Sequence, residues 1–171
     1  MPADQRAAAS ASLQSASGII AQAAGAGVVS GFWPIREEID PRGLLEALHG
    51  LGVALALPVV TRAGLVFRAW RPGDALAPAG FGLLEPAAEA AIVAPAVMLV
   101  PLLGFDRGGG RIGYGRGFYD GAIAGLGPRL TIGLAFAAQE VAAVPREDHD
   151  MLLDCVLTEN GMIDCRPASR D

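Results

Sequence analysis

A chain of 171 residues with 52% apolar and only 18% charged side chains is long enough to bury a core and too apolar to be disordered. Its net charge of −5, with all 13 cations arginine and no basic cluster, excludes a nonspecific nucleic-acid binder, which works by neutralising phosphates. Cys155 and Cys165 lack metal-ligand spacing, so a zinc site is not expected and a reduced, cytoplasmic compartment is.

In chain order, Leu13, Ala16, Ile20 and Ala23 recur at helical spacing, which predicts one helix over 4–24, stopped by Gly25 and Gly27. The start lacks a basic segment followed by a clean apolar one, so no signal peptide is expected, and no apolar run is long enough to cross a bilayer. Residues 28–32 read as a strand ended by Trp33-Pro34. Pro41 suits the first turn of a helix through about 49. The apolar run 53–57 reads as a strand buried on both faces and stopped by Pro58, and 65–70 as a less buried one. Prolines and glycines over 71–95 predict a long surface loop with short ordered pieces. Strands over 97–102, 130–136 and 155–158 follow, with a helix over 117–125 between the first two and a turn at Asn160-Gly161. Strands alternating with helices predict a single domain over 1–171 with a three-layer α/β/α, Rossmann-like fold and a mainly parallel sheet.

Eight of the 23 glycines fall in 104–121, between a predicted strand and a predicted helix. Such a turn lets backbone N–H groups converge on an anion, and a helix N-terminus adds partial positive charge. Arg111 and Arg116 supply full charge, while Asp106 and Asp120 could hold a hard cation. The composition points to a nucleotide polyphosphate with its metal ion. No Gly-x-x-x-x-Gly-Lys-Ser/Thr occurs, since the chain has no lysine. Residues 108–113 satisfy Gly-x-Gly-x-x-Gly, but no helix opens at the third glycine and position 133 is Gly rather than an acid, so a dinucleotide site is the weaker reading. Asp150, within the ionisable run 146–154, could meet Asp120 at one magnesium ion, whose remaining positions phosphate and water would fill. His149 reads as structural. Trp33 and Glu38 could form an apolar slot with one carboxylate, suited to a flat heteroaromatic ligand bearing N–H donors.

Together these segments resemble the 5-formyltetrahydrofolate cyclo-ligase family over about residues 10–162. The matching residues are Trp33-Pro34 with Glu38-Ile39-Asp40, Leu57-Pro58, Phe81-Gly82 with Glu85-Pro86, and 100–120 from Val100-Pro101 to Tyr119-Asp120. His149-Asp150, Asp154 and Thr158-Glu159 close the series. The resemblance implies an ATP- and Mg²⁺-dependent closure of 5-formyltetrahydrofolate to 5,10-methenyltetrahydrofolate, releasing ADP and phosphate. It implies that Arg111, Ile112, Gly113, Tyr114, Gly115, Arg116, Gly117, Phe118 and Tyr119 cradle ATP, with Arg111, Arg116 and Tyr119 catalytic. Tyr114 through Phe118 would also touch the folate, Trp33 and Glu38 would hold its pterin, and Asp120 and Asp150 would bind Mg²⁺. Expected partners are small molecules only, with neither nucleic acid nor membrane, for a monomer. The resemblance also implies a basic N-terminal segment reaching the ATP, after which this chain, from Met1 and Arg6, would start. A binding relative that turns over weakly is the alternative.

Overall fold

The computed structural model describes residues 1–80 and 82–167, so Phe81 of the matched motif lies outside the described residues. Helices α1 (Ala3–Ser12) and α2 (Ser17–Ala24) are separated by a 3₁₀ turn at Leu13–Ala16, where one helix was expected. The serines account for the break. Ser12 Oγ donates to the Ala9 carbonyl and Ser15 Oγ to that of Ser12, and such back-bonding competes with the helical ladder. Strand β1 (Val28–Ser30) and α3 (Arg42–Gly50) follow, then β2 (Leu55–Thr61) and β3 (Gly64–Trp70). The predicted loop holds a small hairpin, β4 (Leu76–Pro78) with β5 (Leu84–Pro86), and the short β6 (Ile92–Val93). Next come β7 (Pro95–Pro101), β8 (Gly104–Phe105), β9 (Arg111–Ile112) and α4 (Phe118–Leu126). Strands β10 (Leu130–Leu134), β11 (Cys155–Thr158) and β12 (Gly161–Asp164) complete the chain.

The main sheet has the order β12-β11-β10-β7-β1-β2-β3-β6. Its five central strands, β11 to β2, run parallel, and β12, β3 and β6 are antiparallel additions. Side chains alternate across it with period 2. Leu55, Leu57, Val97, Leu99, Ile132 and Leu134 pack with Leu13, Ile20, Leu44 and Leu48 of the α1–α3 layer. Their neighbours Ala56, Met98, Val100 and Val156 face the other way, onto Ala122 and Ile123 of α4 and onto Leu153. The α/β class and the three layers therefore stand as expected.

Pro58 does not stop β2, contrary to the sequence reading, because it ends only one of the two ladders. On the β1 side the Gly31 N–H donates to the Ala56 carbonyl at 2.9 Å, and the next rung needs an N–H at position 58 that proline lacks. On the other side Pro58 stays in register with Phe67 of β3, and that pairing runs on to Thr61 and Gly64.

Candidate active site

The carboxyl ends of β7, β1 and β2 open into a cavity of about 770 Å³. Its walls include Phe32 and Trp33 after β1, Pro58 and Val60 of β2, Pro101 at the end of β7, the 110–120 segment, and residues 145–152. This is where a parallel sheet places ligands, beyond its carboxyl edge. Every site residue expected from sequence reaches the wall except Asp106 and Ile112; the Ile112 side chain lies beside Gly104 while its carbonyl accepts the Leu103 N–H at 2.7 Å. Glu85 of the matched 81–86 motif lines it too, as do Arg36 and Arg146, which were not singled out; a cation in a polar segment looks like any solvated charge until the fold turns it inward.

The glycine segment is not one continuous loop. It opens as the β8/β9 hairpin, organised by Asp106. Asp106 Oδ1 accepts N–H groups from Gly108 and Gly110, and Oδ2 accepts that of Val144. Burial opposes the charge on Asp106, but the N–H groups of Val144, Gly110 and Gly108 outweigh it and hold the carboxyl below its usual range. The expectation that Asp106 could hold a cation is thereby corrected. Three backbone donors occupy it and it does not reach the cavity wall. Gly109 shows why this hairpin needs glycine: its φ is +84°, and a Cβ there would lie 2.3 Å from the Leu153 carbonyl oxygen.

Beyond the hairpin, residues 113–117 lead into α4. Gly117 caps that helix in the left-handed region at φ 64°, with no side chain bonding the first turn. The α4 N-terminal amides thus remain for an anion. Arg116 stands here, its guanidinium 6.0 Å from the centre of the Phe118 ring. The Tyr119 hydroxyl is buried without a hydrogen-bond partner among the described residues. Burial, then the nearby Glu38 charge, push its pKa up, so it stays a proton donor.

Arg111 does more than expected of it. Nη2 donates to Asp120 Oδ1 at 2.7 Å and Nη1 to the Met151 carbonyl at 2.6 Å, while the Met151 N–H donates to Asp120 Oδ1 at 2.8 Å. This closed triangle ties β9, the first turn of α4 and the 145–153 segment together, with the Arg111 side chain only 7% exposed. Asp120 Oδ2 has no hydrogen-bond partner among the described residues. Asp150 Oδ2 accepts the Glu147 N–H at 2.8 Å, and its Oδ1 lies 3.8 Å from His149 Nε2. Among the described residues no three His, Cys, Asp or Glu side chains converge as a metal cluster. Two carboxylates on one wall suit a hard cation that completes its shell with phosphate oxygens and water. Asp154 and Glu159 of the matched motifs are structural: Asp154 Oδ2 accepts the Thr131 N–H and hydroxyl, and Glu159 accepts the Ala137 N–H.

At the opposite wall the turn 35–38 presents Glu38. Its Oε2 accepts the Ile35 N–H at 2.8 Å and its Oε1 accepts the Tyr114 hydroxyl at 2.6 Å. Burial raises the Glu38 pKa against the lowering effect of those two donors. Burial and the Glu38 carboxylate together push the Tyr114 pKa up. Trp33 meets Trp70 edge-to-face at 6.1 Å and carries the Arg42 guanidinium 5.2 Å from its ring centre. The cavity thus has a cationic, amide-rich end and an aromatic end with one carboxylate, bridged by Tyr114.

The sequence profile of the 5-formyltetrahydrofolate cyclo-ligase family matches residues 1–159. The 5-formyltetrahydrofolate cyclo-ligase of Mycolicibacterium smegmatis is 35% identical over 141 residues, 76% of this chain and 72% of that one. Its namesake in Haemophilus influenzae is 30% identical over 129 residues, 70% of this chain and 69% of that one. The solved structure of Aquifex aeolicus 5,10-methenyltetrahydrofolate synthetase superposes with a TM-score of 0.82 at 25% identity, covering 100% of this chain and 88% of that one. The Mycoplasma pneumoniae synthetase shares the fold at a TM-score of 0.74 and 17% identity, over 93% of this chain and 90% of that one.

Proposed function

The chain belongs to the 5-formyltetrahydrofolate cyclo-ligase family, and from that premise we propose that it closes 5-formyltetrahydrofolate to 5,10-methenyltetrahydrofolate, converting ATP to ADP and phosphate. The observation that carries this reading is the two-ended cavity, in which the uncapped α4 N-terminus faces the same space as Glu38 and Trp33. A formyl oxygen on N5 is a poor leaving group. Transfer of the γ-phosphoryl group to that oxygen, attack of N10 on the formyl carbon with loss of the N10 proton to solvent, and cleavage of the carbon–oxygen bond then release phosphate.

Such a transfer needs positioning and charge stabilisation more than a protein nucleophile. In this proposal the α4 amides, Gly113, Gly115, Gly117 and Arg116 hold the phosphates. Phe118 and Tyr119 close that end, and the protonated Tyr119 hydroxyl serves as a donor on reorienting. Arg111 acts through Asp120, whose carboxylate it fixes. Asp120 and Asp150 would hold Mg²⁺, which when bound neutralises phosphate charge. Trp33 and Glu38 would seat the pterin. The reading extends to a cytoplasmic monomer without nucleic-acid or membrane partners, supported by the net charge of −5 and two free, buried cysteines. Among the described residues no helix is long and apolar enough to cross a membrane.

The test is direct. Purified protein with ATP, Mg²⁺ and 5-formyltetrahydrofolate should release ADP in step with the absorbance of the methenyl product. ADP release that ignores the folate would sink the proposal.

Glu38 gives the reaction a predicted acid limit. The ionised carboxylate is the form that accepts pterin N–H donors, and burial raises its folded pKa above the ordinary glutamate value. The folate KM should therefore climb as pH falls toward that raised pKa, while the ATP KM stays level. Stability runs the opposite way. A raised folded pKa contributes stability that is complete below the unfolded pKa and lost as pH rises through the folded one. Glu38→Gln should flatten both profiles and raise the folate KM about tenfold, through loss of one hydrogen bond to a charged group. An unaltered pH profile in that variant would remove Glu38 from the site.

A further inference from the structure

We infer that Arg36 is a specificity-determining residue that reads the 4-oxo edge of the pterin beside Glu38. The inference rests on the proposed folate reaction and deepens it. Arg36 is the only non-glycine among the described residues with positive φ, at 52°. It sits at the first corner of the turn in which the Glu38 N–H donates to the Ile35 carbonyl at 3.1 Å, a corner where glycine would be unstrained. L side chains rarely adopt that conformation, and such outliers concentrate where a side chain is needed for function.

The charges nearby make the same point. Arg6 is paired with Glu37 at 3.2 Å, Arg42 with Asp40, and Arg111 with Asp120. Arg36 has no hydrogen bond or ion pair among the described residues, lines the cavity, and lies close enough to Tyr114 for its charge to act on the phenol. A strained backbone thus holds an uncommitted guanidinium two residues from the carboxylate.

The pterin edge supplies the complementary pattern. Its 2-amino group and N3–H are donors, which suit the lone pairs left on Glu38 after Tyr114 and Ile35 are served. The adjacent 4-oxo oxygen is an acceptor, and a guanidinium has only donors to offer. A carboxylate and a guanidinium side by side therefore read donor, donor, acceptor. In a 4-amino pterin N3 carries no hydrogen and position 4 is a donor, so only the 2-amino group suits Glu38 and the 4-amino group finds no acceptor at Arg36.

The test compares wild type with Arg36→Gly and Arg36→Leu by calorimetric titration. The ligands are 5-formyltetrahydrofolate, its 4-amino analogue, and ATP with Mg²⁺. Both variants should weaken 5-formyltetrahydrofolate binding about tenfold, the loss of one charge-assisted hydrogen bond. Binding of the 4-amino analogue and of ATP should stay within twofold. Arg36→Gly should melt no lower than wild type, since glycine relieves the turn, which separates lost recognition from lost folding. Equal weakening of the 4-oxo and 4-amino ligands, a change confined to ATP, or no change at all each overturns the inference while the folate reading stands. If wild type binds neither folate, the folate reading itself fails, and the inference with it.

Discussion

Asp120→Asn is expected to lower turnover on the order of a hundredfold, the scale of losing one preorganised charge at a phosphoryl-transfer site. It should also lower stability by about 2–4 kcal/mol, because removing one partner of a mostly buried pair leaves the other charge uncompensated. The geometry separates the two losses. Arg111 Nη2 rests on Asp120 Oδ1 at 2.7 Å, so the amide strands a guanidinium that is 7% exposed. The double variant Arg111→Met with Asp120→Asn removes both charges and should regain much of the lost stability while turnover stays low. Denaturant melts and single-turnover rates on wild type and the two variants check this. Full Mg²⁺-dependent activity in Asp120→Asn would take Asp120 out of the phosphate end altogether.

Gly109→Ala should be the most damaging single methyl group in the chain, costing about 2–5 kcal/mol from a left-handed alanine plus an overpacked contact. Its Cβ would lie 2.3 Å from the Leu153 carbonyl oxygen, and the Leu153 N–H already bonds the Gly109 carbonyl at 2.9 Å, so neither backbone can retreat. Gly115→Ala is the matched control. Its φ of 79° is equally unfavourable to alanine, but among the described residues, its two chain neighbours apart, nothing lies within 4 Å of the added carbon. That variant should lose only about 1–2 kcal/mol, the cost of the left-handed backbone alone. Midpoints of urea unfolding give both values. Equal losses in the two would mean that the contact with Leu153 yields at little cost.

These two glycines show how far the sequence could be read. The clustering of eight glycines after an apolar strand was visible in the chain itself, and so was the anion-binding character of the segment. Their division of labour was not. Gly109 lets the β8/β9 hairpin pack against a segment more than 40 positions downstream, whereas Gly115 and Gly117 bend the open stretch toward the helix. Composition cannot separate those roles, because both demand only that a Cβ be absent. Similarly, Asp106 and Asp120 looked equivalent as cation ligands. Three backbone N–H groups claim the first, and only the second stands on the cavity wall.

The order of the five parallel strands and of the helices α3 and α4 could be determined from sequence because it follows from local periodicity and from the turn chemistry of Pro and Gly, which act within a few residues. Runs such as Val97 to Leu102 announce burial on both faces whatever surrounds them. The resemblance to a known family likewise rested on residues in linear order, Trp33 to Glu159. What only the tertiary structure decided is which charges meet. Tyr114 bonds Glu38 across 76 residues, and Arg111 bonds the Met151 carbonyl across 40. Nothing local selects such partners. A carboxylate accepts any donor the fold brings near, so its partner is set by the sheet order and by how each loop leaves its strand.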